Sequence, residues 1–77
     1  MEKQEFKTRW ESNEDGGGIT FDDIDDCAKA WGIASTPRVM PINVIRYRVL
    51  KAANTNDADE YAPNAEITGW RKPVRVD

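Results

Sequence analysis

The sequence contains no histidine, a single cysteine and no long apolar run, and each shortage excludes a class of function. Without histidine the chain lacks the commonest general base and metal ligand, so the usual nucleophilic triads cannot be built. As the only cysteine, Cys27 can form neither an internal disulfide nor a thiolate zinc site. No segment approaches the roughly 20 apolar residues that a membrane span requires. These absences predict a non-catalytic protein that binds no metal, no cofactor and no membrane.

Length and composition predict one small domain. The chain has 77 residues, and a core of that size supplies only about 3 to 5 kcal/mol of net stability. Three Trp, two Tyr and two Phe provide large side chains to bury. We therefore expect residues 1–77 to form a single small folded domain. Because so small a domain has no disulfide, a reducing compartment is expected, which indicates the cytoplasm.

The two ends of the chain contain patterns typical of strands. Residues 5–12 alternate between large or hydroxyl side chains and charged ones, which predicts a half-buried first strand. The inward side chains of this strand are Phe6, Thr8 and Trp10. A flexible glycine-rich loop is expected at 13–19, because consecutive glycines oppose both helix and strand. A second strand is predicted within 67–76, where Pro73 confines it to the edge of a sheet.

Two helices are predicted between these strands. Thr20 is a suitable N-cap for a helix over 21–31, and Gly32 is suited to its C-terminal cap. Pro41 precedes the main helix, which is predicted over 42–53. The apolar stripes consist of Phe21, Ile24, Cys27, Ala28 and Trp31 in the first helix and Ile42, Ile45, Val49, Leu50 and Ala53 in the second.

The predicted fold class is therefore α+β, with elements in the order strand, helix, helix, strand and a two-stranded edge ribbon formed by the two ends. Residues 54–66 are rich in Asn, Asp and Ala and are expected to form an acidic connector before the last strand. The alternative is a mainly α domain with extended termini.

Four aspartates are crowded at the start of the first predicted helix, and they provide the candidate binding site. They are Asp22, Asp23, Asp25 and Asp26. A row of carboxylates imitates phosphate charge, so this segment is predicted to contact a partner protein with a basic groove. The simpler interpretation is a solvated acidic helix start, which the helix dipole favours. Trp70, next to Arg71, is a second candidate contact because Trp and Arg are enriched at interface hot spots.

A basic set in the middle of the chain supports the alternative function, DNA binding. It consists of Arg38, Arg46, Arg48 and Lys51. The preceding residues 25–35, DDCAKAWGIAS, place Ala28 and Gly32 four apart and resemble the first helix and turn of a helix-turn-helix motif. This resemblance implies a reading helix beginning near Ser35, where Pro37 and Pro41 both depart from the pattern.

A short, acidic chain with one cysteine also resembles the accessory proteins of tailed phages. That resemblance implies an anti-defence inhibitor that blocks a nucleic-acid-processing or defence complex of the host, in the host cytoplasm. The favoured function is thus a small protein-binding module, with a host protein as partner. Nucleic acid is the less favoured partner. Charge alternates in blocks, with basic residues over 37–53 between acidic blocks at 19–36 and 54–68, so self-association is a further possibility.

Overall fold

The computed structural model describes residues 1–12, 16–33 and 40–63, and this part of the chain contains three α-helices. The helices are α1 (Lys3–Glu11), α2 (Phe21–Ala30) and α3 (Ile42–Ala52). Two short 3₁₀ segments accompany them, the glycine turn Gly16–Gly18 and the 3₁₀ turn Ala58–Tyr61. No strand occurs in the described residues, so the predicted α+β class is wrong and the alternative, a mainly α fold, fits. The second predicted strand, at 67–76, lies outside them.

The segment predicted as the first strand is helix α1. Phe6 and Trp10 are four residues apart, a spacing that places them on one side of a strand and equally on one face of a helix. Both side chains are 0% exposed, whereas Thr8 is exposed, as a helix requires and a strand does not allow. Lys7 and Glu11 form an ion pair of 2.8 Å across one helical turn. The strand prediction was wrong because the spacing of Phe6 and Trp10 fits the period of a helix as well as that of a strand.

Both ends of α2 carry the caps that the sequence predicts. The hydroxyl of Thr20 accepts a hydrogen bond from the Asp23 amide at 3.1 Å, and the Asp23 carboxylate accepts one from the Thr20 amide at 3.0 Å. At the other end Gly32 has φ +75°, and the Ile33 amide donates to the Ala28 carbonyl at 2.8 Å. The predicted capping residues are confirmed, and the helix ends at Ala30, one residue before the predicted end.

Helix α3 also matches its prediction to within one residue. It follows Pro41 and ends at Ala52; Asn54, just after the C-cap residue Ala53, has φ +65°, and the Thr55 amide donates to the Leu50 carbonyl at 3.2 Å. The predicted stripe residues that are buried are Ile45, Val49, Leu50 and Ala53. Ile42 is half exposed at 50%, so its assignment to the core is wrong. It is the first residue of α3 and so lies at the end of the apolar stripe.

The aromatic side chains of α1 lie at the centre of the core. Phe6 stacks on Trp10 with ring centroids 5.9 Å apart and packs nearly perpendicular to Trp31 with ring centroids 5.6 Å apart. Trp10 packs nearly perpendicular to Tyr61 with ring centroids 6.0 Å apart, and its indole N–H donates to Asp57 Oδ1 at 2.8 Å. Trp31, predicted to be buried, is only partly so. These contacts fasten α1 to both α2 and the 3₁₀ turn.

Candidate functional site

Two of the four predicted partner-binding aspartates serve the fold. Asp23 closes the capping box with Thr20 at the start of α2. Asp25 faces α3, where its Oδ1 and Oδ2 accept hydrogen bonds from Nε and Nη2 of Arg46 at 3.3 and 3.2 Å. A fork of two parallel bonds fixes the orientation of both side chains. Asp23 and Asp25 therefore hold α2 in place, and their carboxylates are already engaged.

The other two aspartates form the acidic face, which we define as Asp22 and Asp26. They lie one turn apart on the side of α2 opposite its buried residues, and both are exposed. Among the described residues neither makes a hydrogen bond or an ion pair. Like charges at this spacing destabilise a helix by about 0.2 to 0.5 kcal/mol. Lys29, one turn further on, is exposed as well and marks the limit of the acidic face.

Arg46, the central residue of the predicted basic set, is a structural link between α2 and α3. Its guanidinium lies over the ring of Phe21, 4.1 Å from the centroid, while its edge binds Asp25. Its side chain is 17% exposed. A planar cation suits this arrangement because it can stack on a ring and bind a carboxylate at once. Arg46 is therefore committed to the fold, and a phosphate would have to displace Asp25 to reach it.

The remaining described members of the basic set, Arg48 and Lys51, share the outer side of α3 with Val44 and Tyr47. We call these four residues the basic face. Val44 and Tyr47 are partly exposed, and the Lys51 ammonium lies 6.0 Å from the Tyr47 ring centroid and 3.5 Å from Asp59 Oδ1. Arg48 and Lys51 are exposed.

Sequence reasoning missed Val44 and Tyr47 as surface residues. Val44 lies four residues before Arg48 and Tyr47 four residues before Lys51, and this spacing is the signal that places all four on one side of a helix. The two further predicted contacts, Arg38 and Trp70, lie outside the described residues, so their roles stay predictions.

Nothing in the interior of the described part has the arrangement of a reactive group. Cys27 is buried, as its place in the core stripe predicts, and desolvation raises the pKa of its thiol. The nearby N-terminal amine lowers that pKa, while the carboxylates of Asp23, Asp26 and Glu5 raise it. A thiol with a raised pKa is protonated at neutral pH and is a poor nucleophile.

In the described part of the chain, a polar pocket of about 180 Å³ lies where α3 meets the 3₁₀ turn. It is lined by Lys51, Asn54, Thr55, Asn56, Ala58 and Asp59. Thr55 is buried and its hydroxyl donates to the Leu50 carbonyl, so the pocket has no hydroxyl poised next to a base. Among the described residues no group of three or more Cys, Asp or Glu side chains is placed to hold a metal ion.

Comparison with known proteins identified no relative of this chain. No helix in the described ranges combines the length and apolar character needed to cross a membrane. The chain matches no protein-family model, no curated protein and no solved structure. The proposed function therefore rests on the charged faces of α2 and α3.

Proposed function

We propose that this chain is a non-catalytic binding module whose acidic face docks into a basic groove of a partner protein. The observation that supports the proposal is that two of the four aspartates hold the fold together and the other two do not. Asp23 and Asp25 are held in the fold, whereas Asp22 and Asp26 are exposed, one turn apart and without a partner in the described residues. The helix dipole favours negative charge at the start of α2, but the two carboxylates repel each other, and a basic partner would relieve that repulsion.

The acidic face would act by competing with nucleic acid. Side chains one turn apart on a helix present two negative charges about 5 to 6 Å apart at their Cβ atoms. A basic groove that holds a phosphate backbone attracts such a pair through the same field. The proposal extends to inhibition of a nucleic-acid-processing or defence complex. For a phage-encoded chain the complex is the host's, and the site of action is the host cytoplasm.

The alternative, a DNA-binding regulator, has less support from the geometry. Of its four predicted contacts, Arg46 binds Asp25 and stacks on Phe21, and this leaves Arg48 and Lys51 available in the described residues. Specific DNA binding draws much of its affinity from several phosphate contacts. The two predicted contacts that are exposed in the described residues provide few such phosphate contacts, and the chain has a net charge of −3. We therefore prefer a protein partner.

The proposal is tested by affinity purification from a nuclease-treated bacterial lysate, with three forms of the tagged protein compared by quantitative mass spectrometry. The first is the wild type and the second carries Asp22→Asn with Asp26→Asn. The matched control carries Glu2→Gln with Glu60→Gln, which removes the same charge from two other exposed positions. We expect the wild type and the control to recover one stoichiometric protein, and the aspartate variant to recover at least about tenfold less, equivalent to about 1.4 kcal/mol.

Equal recovery by the two variants would contradict the proposal, as would the absence of any stoichiometric protein from the wild-type sample. A nucleic acid that co-purifies only when nuclease is omitted would support the DNA-binding alternative instead. That alternative also predicts an affinity that falls steeply with salt and depends on Arg48 and Lys51. Unfolding curves of all three forms, recorded first, show whether the variants remain folded.

A further inference from the structure

The basic face of α3 is open to solvent in the described fold and combines charge with apolar surface. Arg48 and Lys51 are exposed, and Val44 and Tyr47 beside them are partly exposed. The buried residues of α3 lie on its other side. We propose that the basic face docks against the acidic face of a second copy of this chain.

The charge and spacing of the two faces are complementary. Arg48 and Lys51 are three residues apart on α3, and Asp22 and Asp26 are four apart on α2. Either separation brings two side chains to within about 5 to 6 Å on one side of a helix. Two cations of one copy can therefore meet two anions of another without distortion of either helix. Opposite charges at matched positions fix the register of such a contact.

The existing contacts of the basic face are weak enough to be exchanged. Lys51 pairs with Asp59 at 3.5 Å, but these side chains are 55% and 86% exposed, and ion pairs so open to solvent contribute little. Arg48 makes no hydrogen bond or ion pair in the described residues. Tyr47 supplies a flat ring beside Lys51, and aromatic rings are enriched in the centres of interfaces. An incoming acidic helix thus displaces only a solvent-exposed contact.

The two faces lie on the outer sides of two helices that pack against each other, so the association is head to tail. The acidic face lies on α2 and the basic face on α3, so one contact leaves each copy with one unused face. Further copies can then add until a ring closes, or the assembly stays an open chain. The contact depends mainly on exposed charge, so it is weak and is screened by salt. Because it covers the acidic face, self-association at high protein concentration competes with binding of an outside partner.

The test is a charge exchange read by sedimentation equilibrium of the full chain over a range of concentrations, at about 0.02 M and about 0.5 M salt. One variant carries Asp22→Lys with Asp26→Lys and so has two basic faces. The other carries Arg48→Glu with Lys51→Glu and has two acidic faces. We expect the wild type to show a weight-average mass that rises with concentration at low salt and returns to the monomer value at high salt.

Each variant alone is expected to remain monomeric at low salt. An equimolar mixture of the two restores association, because the acidic α3 of one then meets the basic α2 of the other. A chain that carries all four substitutions also associates. Restoration by a second change cannot be produced by a variant that merely misfolds. A wild type that stays monomeric at low salt would overturn the proposal. So would association of the wild type that persists at high salt, or association of either variant, with its two basic or two acidic faces, on its own.

This inference and the proposed function fail separately. The variant with Arg48→Glu and Lys51→Glu keeps the acidic face, so it is expected to lose self-association and still capture the outside partner. If it captures the partner while the wild type shows no self-association, the docking proposal falls and the proposed function stands. If the wild type self-associates but recovers no outside partner, the proposed function falls and the docking proposal stands.

Discussion

Helices α1 and α2 are nearly equal in length, with nine and ten residues, yet different interactions hold them. Helix α2 has a complete capping box at Thr20, a glycine at its C-terminal end and an apolar stripe along one face. Helix α1 has no side-chain cap at Glu2, and it buries only Phe6 and Trp10. Local sequence thus specifies α2, whereas contacts with the rest of the molecule hold α1. The two helices should therefore respond differently to substitution.

The largest effect is expected from Trp10→Ala. The indole is fully buried, stacks on Phe6, and donates to Asp57 across 47 positions of sequence. Replacing a buried Trp by Ala costs about 3 to 5 kcal/mol, which is comparable to the whole net stability of a domain this small. We expect the variant to be largely unfolded at 25 °C, with the loss of most helical circular dichroism at 222 nm.

Trp10→Phe is the matched variant, because it keeps an aromatic ring against Phe6 and loses the hydrogen bond to Asp57. It is expected to remain folded with a loss of about 1 to 3 kcal/mol, measured by urea unfolding. If Trp10→Ala left α2 and α3 folded with near-native circular dichroism, the contacts of α1 would not be what stabilises the molecule. The contrast between the two helices would then be wrong.

The second largest effect is expected from Gly17→Ala, which tests how α1 is joined to the glycine turn. Gly17 has φ +63°, and a Cβ atom built there would lie 1.8 Å from the Arg9 carbonyl oxygen. The guanidinium of Arg9 also donates to the Gly17 carbonyl at 3.3 Å, so the turn lies directly against the end of α1. The positive φ and the enforced shift of backbone together should cost about 2 kcal/mol or more.

Gly32→Ala is the control for this substitution. Gly32 has a similar φ of +75°, but no atom lies within 4 Å of an added Cβ. Only the conformational term applies there, so we expect a loss of about 1 kcal/mol. Equal losses at the two positions, measured by thermal unfolding, would show that the close approach to Arg9 carries no energetic weight.

The sequence could predict α2 and α3 because their signals are local. Thr20, Gly32 and Pro41 mark boundaries through their own backbone and side-chain chemistry, independently of the rest of the fold. Helix α1 could not be recognised in the same way. Phe6 and Trp10 satisfy both periods, and only the burial of these two and the exposure of Thr8 decides between them. Such contacts depend on the other helices.

The candidate site was predictable in composition and not in detail. The cluster of aspartates is visible in the sequence, and so is the role of Thr20 as a cap. What could not be read is that Arg46 turns towards α2 to bind Asp25 and stack on Phe21, because this contact spans 21 positions and depends on how α2 packs on α3. The contact engages Asp25, one of the predicted partner-binding aspartates, and Arg46, one of the predicted DNA-binding residues, within the fold.

A moderate effect is expected from Thr20→Ala, which removes the hydroxyl from the capping box of α2. Loss of a Thr cap costs about 1 kcal/mol, within a range of about 0.5 to 2. Thr20→Ser keeps the hydroxyl and is expected to lose only a few tenths of a kcal/mol. The comparison is made by the urea midpoint at constant slope. A neutral Thr20→Ala variant would show that tertiary contacts hold α2 as they hold α1, and the distinction between the helices would disappear.

The smallest effect is expected from Glu2→Asp, which gives α1 the kind of end that α2 already has. Glu2 is the N-cap residue, with extended backbone angles and no side-chain hydrogen bond, and Glu5 stands three positions later. Asp at this position, with Glu5, completes the pattern of a capping box and retains the negative charge favoured by the helix dipole. We expect a gain of about 0.5 kcal/mol in urea unfolding, near the low end of measured cap effects. Glu2→Gln, which adds no cap, should give no gain. If Glu2→Asp were also neutral, the start of α1 would already be fixed by another contact, and the hydrogen bond from the Trp31 indole to the Met1 carbonyl at 3.1 Å is the contact in the right place to do so.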